Sequence, residues 1–305
     1  MSARMFLKWA VLLCAAFAND FARAEAPRVI VSIKPLHSLV ASVMEGVAVP
    51  EVLLKGSASV HAYALRPSEA EALRTADVVF WIGPAFEVFL EKPIAALAGK
   101  ARIIAVMSAP GMNILSARDG GVWEDHHTSH SATRSDGHIW LDPHSAKALV
   151  AEIAQQLAAV DQPHAAQYRA NALTLQARLD ALDAALKAQL APFQNSPFVV
   201  FHDAYQYFEN RYNLRAVGSV TVSADRTPGA RRILEIKDKL ASLGAGCVFA
   251  EPQFTPALIN TLAGDGKVKT GILDPEGSTL PPGPDLYATL MRNLAGNLAG
   301  CLSAS

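Results

Sequence analysis

The sequence has 305 residues, is 51% hydrophobic and 18% charged, and carries a formal net charge of −1. That length and apolar content support one large or two medium packed domains. The balanced charge, with no Lys/Arg run longer than the pair Arg231 and Arg232, argues against a nucleic-acid-binding surface.

The first 24 residues read as a cleaved secretory signal. Arg4 and Lys8 form a short basic region, Trp9 to Ala18 an apolar core of ten residues, and Ala22-Arg23-Ala24 a small-x-small cleavage site. The apolar run is too short to span a bilayer. Cys14 lies inside it behind the bulky Leu13, which argues against a lipid anchor. The expected product is a soluble, exported, periplasmic protein.

Beyond the leader, short apolar runs alternate with amphipathic segments. Strands are expected at 28–33, 49–54, 77–81 and 102–106. Helices are expected at 36–45, stopped by Gly46, at 67–75, opened by Pro67, and at 85–97. Strands alternating with helices predict parallel sheets in an α/β fold. Residues 108–137 break the rhythm. This stretch is polar and contains Asp125-His126-His127-Thr128-Ser129-His130; it reads as a mobile surface loop.

Residues 145–160 and 163–190 are rich in Ala, Leu and Gln with helical periodicity, and Pro163 and Pro192 bracket the second run. A helix over 163–190 would be about 42 Å long, which suits a rigid strut between two domains. The α/β rhythm resumes with strands at 198–202, 214–220, 247–250 and 268–273, and helices at 205–211, 228–243, 256–263 and 284–300. The expected architecture is two lobes, each a parallel sheet flanked by helices. The divisions are a signal at 1–24, an N-terminal lobe at 25–160, a linker helix at 161–191 and a C-terminal lobe at 192–305.

Four residues stand out in this frame: His61, His138, His202 and Asp274, spaced 77, 64 and 72 residues apart. Each lies in or beside a loop after an apolar run. Three imidazoles and a carboxylate suit a borderline metal, zinc first. Ligands of open α/β sheets bind beyond the carboxyl ends of strands, so two facing lobes would gather the four in one cleft. Each lone histidine could equally be a surface or core residue, and Asp274-Pro275 could be a simple turn. Two cysteines remain after the leader, Cys247 and Cys301. In an exported protein they most simply form one disulfide, with free thiols or zinc thiolates as the alternative.

The segments around these residues resemble a known family. Ser59-Val60-His61-Ala62-Tyr63-Ala64-Leu65-Arg66-Pro67-Ser68, Gly137-His138-Ile139-Trp140-Leu141-Asp142-Pro143 and Phe201-His202-Asp203-Ala204-Tyr205-Gln206-Tyr207-Phe208 resemble three metal-ligand segments of the cluster A-I metal-binding solute-binding proteins of ABC transporters. Glu251-Pro252-Gln253-Phe254 with Leu273-Asp274-Pro275 resembles the C-terminal segment. The match runs in order over the whole chain after the leader and is most like the periplasmic zinc-binding members. It implies two α/β lobes joined by one long helix, Zn²⁺ held between them as transported ligand, a Cys247–Cys301 disulfide, and an ABC permease as partner, the protein being a monomer and no enzyme.

Manganese and iron members usually carry Glu at the position of His202; a third imidazole favours zinc. Some zinc members carry Glu at the position of Val60, and its absence leaves Asp274 or water as fourth ligand. Family members often have a His-rich loop where His126, His127 and His130 stand, which makes these accessory candidates. Asp203 and Glu251 could orient His202, and Arg66 could pair with an acidic group at the cleft or be a solvated helix-entry residue. His37, His144 and His164 match no motif and are read as structural. The competing functions are a manganese- or iron-loading relative, a metal-binding adhesin, and a zinc hydrolase, the last disfavoured because no HExxH or comparable compact motif is present.

Overall fold

The computed structural model describes residues 25–55, 63–118, 130–221, 229–243, 246–253, 259, 262–264 and 268–303. The signal at 1–24, His61, His126, His127 and most of the helix expected at 256–263 lie outside these residues.

Strands β1 (Val29–Val31), β2 (Glu51–Val52), β3 (Val78–Trp81) and β4 (Arg102–Ala105) form an all-parallel sheet in the order β2-β1-β3-β4. Strands β1 and β3 are buried at every position. They therefore read as unbroken apolar runs, as strands covered on both faces do. Helices α1 (Lys34–Val43), α2 (Pro67–Arg74) and α3 (Val88–Leu97) make the connections. Gly46, at φ +79°, turns the chain just past α1.

The stretch expected to be a loop is partly a hairpin: β5 (Ser116–Arg118) pairs antiparallel with β6 (His130–Ser135). Polar contacts anchor its base, so no alternation of apolar residues announced it. Helix α4 (Pro143–Val160) follows. Asp142 caps it by accepting from the backbone N–H groups of His144 (2.9 Å) and Ser145 (3.1 Å).

Helix α5 (Ala165–Leu190) has 26 residues, about 39 Å. It joins the first sheet to the second. Its buried face includes Tyr168, Ala172, Leu179, Leu182, Leu186 and Leu190, at steps of four, seven, three, four and four, and packs chiefly on α4, with α8 and α1 beside it. The strut is thus also a spine of the core.

The second sheet is all-parallel too, in the order β10-β9-β7-β8, from β7 (Pro197–His202), β8 (Arg215–Thr221), β9 (Cys247–Ala250) and β10 (Lys269–Ile272). Helices α6 (Gln206–Tyr212) and α7 (Ala230–Leu243) lie between its strands in sequence, and α8 (Leu286–Ser303) closes the described chain. Cys247 and Cys301 are disulfide-bonded, with Cα atoms 6.2 Å apart. That bond ties the start of β9 to the last turn of α8 and bears out the expected pairing.

Residues 275–287 return to the first half. Lys34 Nζ donates to the carbonyls of Ser278 (2.8 Å) and Leu280 (3.1 Å). Ser38 Oγ donates to Pro284 O (2.8 Å) and accepts from Tyr287 N (3.0 Å). Trp140 Nε1 donates to Pro275 O (2.8 Å), and Tyr287 Oη to Trp140 O (2.7 Å). Helix α8 then packs on α5 and α1 as well as on β10.

Candidate metal centre

Because β10, β9 and β7 are neighbours, their carboxyl ends carry Asp274, Glu251 and His202 side by side, where open parallel sheets place their ligands. His138 comes from the other half, at the turn that follows the hairpin and leads into the 3-10 turn Ile139–Leu141.

The two histidines meet, with Nε2 of His202 3.4 Å from Nε2 of His138. Each ring is aimed by a carboxylate on its far side. Glu251 Oε1 lies 2.6 Å from His202 Nδ1, and Asp136 Oδ1 lies 2.8 Å from His138 Nδ1 while also accepting the His138 backbone N–H at 3.0 Å. With Nδ1–H given to a carboxylate, the ring turns its Nε2 lone pair to its neighbour, the tautomer a metal needs. A proton or a metal ion between the two Nε2 atoms removes the repulsion of their lone pairs. Two Zn–N bonds of about 2.05 Å at a tetrahedral angle place their nitrogens roughly 3.3 Å apart, and the observed separation matches.

The electrostatics favour a cation. Burial first, and then the charge of His202, depress His138 to about 3, so its ring stays neutral. Burial works to lower His202 as well, but Glu251 more than offsets it and its pKa is raised. Burial lifts Asp136 to about 7 in spite of the His138 N–H it accepts and the nearby Arg118. Glu276 is pushed up to about 8, first by burial, with His202 opposing and Glu251 and Asp274 adding to it. A dication held here would displace a proton and relieve a crowd of carboxylates.

Packing fixes His138 further. Phe86 stands edge-on to His138 and Trp140, at ring separations of 5.0 and 5.4 Å. Gly137 makes this approach feasible, since a Cβ there would fall 2.5 Å from the Phe86 ring. Gly137→Ala is therefore expected to destabilise the protein by about 1–3 kcal/mol through overpacking, read in a denaturant melt. Unchanged stability would mean that Phe86 moves aside freely. A cavity of about 150 Å³, lined by Phe86, Arg118, Asp136, His138, His202 and Asp203, opens next to the pair.

Of the expected ligands, His138 and His202 are brought together. Asp274 lies in the same row of strand ends, half-buried, with its carboxylate accepting from Glu276 N (3.2 Å) and Ser278 Oγ (2.9 Å). His61 lies outside the described residues, and among those described no group of three His, Cys, Asp or Glu is close enough to hold a metal. His130 stands in β6 opposite Arg118.

Glu251, rather than Asp203, orients His202; Asp203 faces Arg118. Arg66 is an exposed helix-entry residue whose backbone N–H bonds Glu69 Oε2 at 2.8 Å. His37, His144 and His164 have local roles, His37 to Pro50 O, His164 to Asp161 Oδ2 and His144 through its backbone to Asp142. Asp136 was missed by sequence reasoning, although an Asp two residues before a ligand-type His was a usable signal.

Residues 29–301 match the family model described as zinc-uptake complex component A, periplasmic. The chain belongs to this family. The high-affinity zinc uptake system protein ZnuA of Brucella suis biovar 1 is 45% identical over 98% of each chain, and that of Yersinia pestis 36% identical over 97% of this chain and 98% of its own. The zinc-uptake fold is seen in a crystal structure of ZnuA, with a TM-score of 0.78 at 25% identity over 90% of this chain and 99% of that one. A laminin-binding adhesin of Streptococcus agalactiae shares the fold alone, with a TM-score of 0.77 at 20% identity over 91% and 99% of the two chains. As in its zinc-uptake relatives, two α/β lobes are joined by a long helix, and no helix among the described residues is long and apolar enough to cross a membrane.

Proposed function

We propose that this protein captures Zn²⁺ in the periplasm and delivers it to the membrane permease of a zinc-uptake ABC transporter. The ligands in this reading are His61, His138, His202 and Asp274. The observation that carries it is the His138–His202 pair, with two Nε2 atoms 3.4 Å apart and each ring backed by a buried carboxylate. Asp274 supplies an oxygen from the end of β10, two strands over from His202, and His61 the third imidazole. Family membership supports the same cargo, and nitrogen-rich ligation favours zinc over manganese.

In this reading the protein carries zinc rather than using it for chemistry, and acts as a monomer with no nucleic-acid partner. The division into an N-terminal lobe at 25–160, a linker helix at 161–191 and a C-terminal lobe at 192–305 is supported by the two sheets falling on either side of α5. His126, His127 and His130 are accessory, gathering zinc without forming the tight site.

The test is a titration of metal-free protein with zinc and with manganese, on wild type and on a variant with residues 119–129 replaced by Asn-Gly. One tight site that prefers zinc and survives the replacement is expected. Comparable manganese affinity would sink the metal assignment, and loss of the tight site on replacement would make His126 or His127 a ligand.

A further inference from the structure

Arg118 ends β5 with its side chain turned inward, only 9% exposed. Its guanidinium grips two carboxylates. Nε donates to both Asp203 oxygens at 3.0 Å and Nη2 also reaches Asp203, while Nη1 and Nη2 donate to Glu209 Oε2 and Oε1 at 2.9 and 2.8 Å. Asp203 is the residue after His202, and Glu209 lies on α6. The hairpin that carries Arg118 runs straight on into Asp136 and His138.

Other bonds cross the same junction. Tyr207 Oη donates to Asp136 O (3.0 Å) and accepts from Leu115 N (2.9 Å). The Gln206 amide nitrogen, assigned from its surroundings, donates to Ser116 O and Asp136 Oδ2 at 3.1 Å each. The carboxylate that aims His138 is therefore held by α6, a helix that begins just after His202.

We propose that Arg118 is a positioning residue for the metal: by locking the hairpin base onto Asp203 and Glu209, it holds His138 and His202 at one separation. The two histidines are 64 residues apart in sequence, and the Arg118 fork adds a charged clamp to the Tyr207 and Gln206 bonds that cross the same junction. A planar fork held by two carboxylates fixes direction as well as distance, which a lysine cannot do. Burying three charges contributes little net stability, so a defined geometry is the better account of the triad.

This inference rests on His138 and His202 being ligands, so His202→Ala is measured in parallel. Two variants test Arg118: Arg118→Lys, and the neutral combination Arg118→Met with Asp203→Asn and Glu209→Gln, which leaves no unpaired buried charge. Each is checked for folding by circular dichroism. Zinc dissociation into excess chelator and the visible spectrum of the cobalt(II)-loaded protein are then recorded. The expected result is dissociation about tenfold faster and weakened, shifted cobalt bands in both variants. A merely structural arginine would lower the melting temperature and leave dissociation and spectrum as in wild type; that outcome overturns the proposal alone. Wild-type zinc binding by His202→Ala would overturn the ligand reading and this inference with it.

Discussion

His202→Ala is expected to weaken zinc binding by roughly two orders of magnitude. Structural zinc sites are worth about 10–16 kcal/mol over four ligands, so one ligand carries about 3 kcal/mol, or roughly a hundredfold in Kd. The substitution also leaves the Glu251 carboxylate buried without the ring that balances it, a cost to folding rather than to zinc affinity. Glu251→Gln separates the two contributions. The amide keeps an acceptor at Nδ1–H but removes the charge, and about a 10- to 100-fold loss is expected. Competition against a chromophoric chelator gives both affinities, with circular dichroism confirming the fold. An unchanged Kd for His202→Ala would remove His202 from the ligand set.

Breaking the disulfide should act in the opposite way, costing stability and sparing affinity. Cys247 and Cys301 close a loop with a sequence separation of 54, for which chain entropy gives about 4 kcal/mol. For a chain of this size the paired Cys247→Ser and Cys301→Ser substitutions should lower Tm by roughly 10 °C. The bond sits at the start of β9, whereas Glu251 follows that strand's far end, so zinc affinity should change little. A melting temperature unmoved by the double substitution would show that α8 is held by its apolar face alone. A large drop in affinity would mean that the bond shapes the site across the length of the sheet.

Much of this was legible in the sequence for a physical reason. Strands such as Val78–Trp81 and Pro197–His202 are covered on both faces and must be apolar throughout, and the helices between them must show one apolar stripe. Strand ends mark where a ligand binds, so His202 and Asp274 could be placed at the site from the runs before them. The β5–β6 hairpin was not legible, because Arg118, Tyr207 and Gln206 hold it through polar contacts that leave no periodic trace. The partners of the two rings were only half visible. Glu251 could be named as one option beside Asp203, but choosing between them needs the strand order, which places β9 next to β7. The return of residues 275–287 to α1 was hidden entirely, since nothing in a local pattern says which half of the molecule a loop will visit.

That return has a temporal consequence. Lys34 lies near the beginning of the described residues, yet its partners Ser278 and Leu280 come 244 and 246 residues later, and Ser38 waits as long for Pro284 and Tyr287. A chain made from its N-terminus cannot bury the Lys34 ammonium in its native setting until almost all of it has been synthesised. Contacts this remote in sequence slow folding, and a first half lacking its final segment keeps apolar surface open to chaperones. For a protein that works in the periplasm, such a delay postpones the closed native core until nearly the whole polypeptide is available.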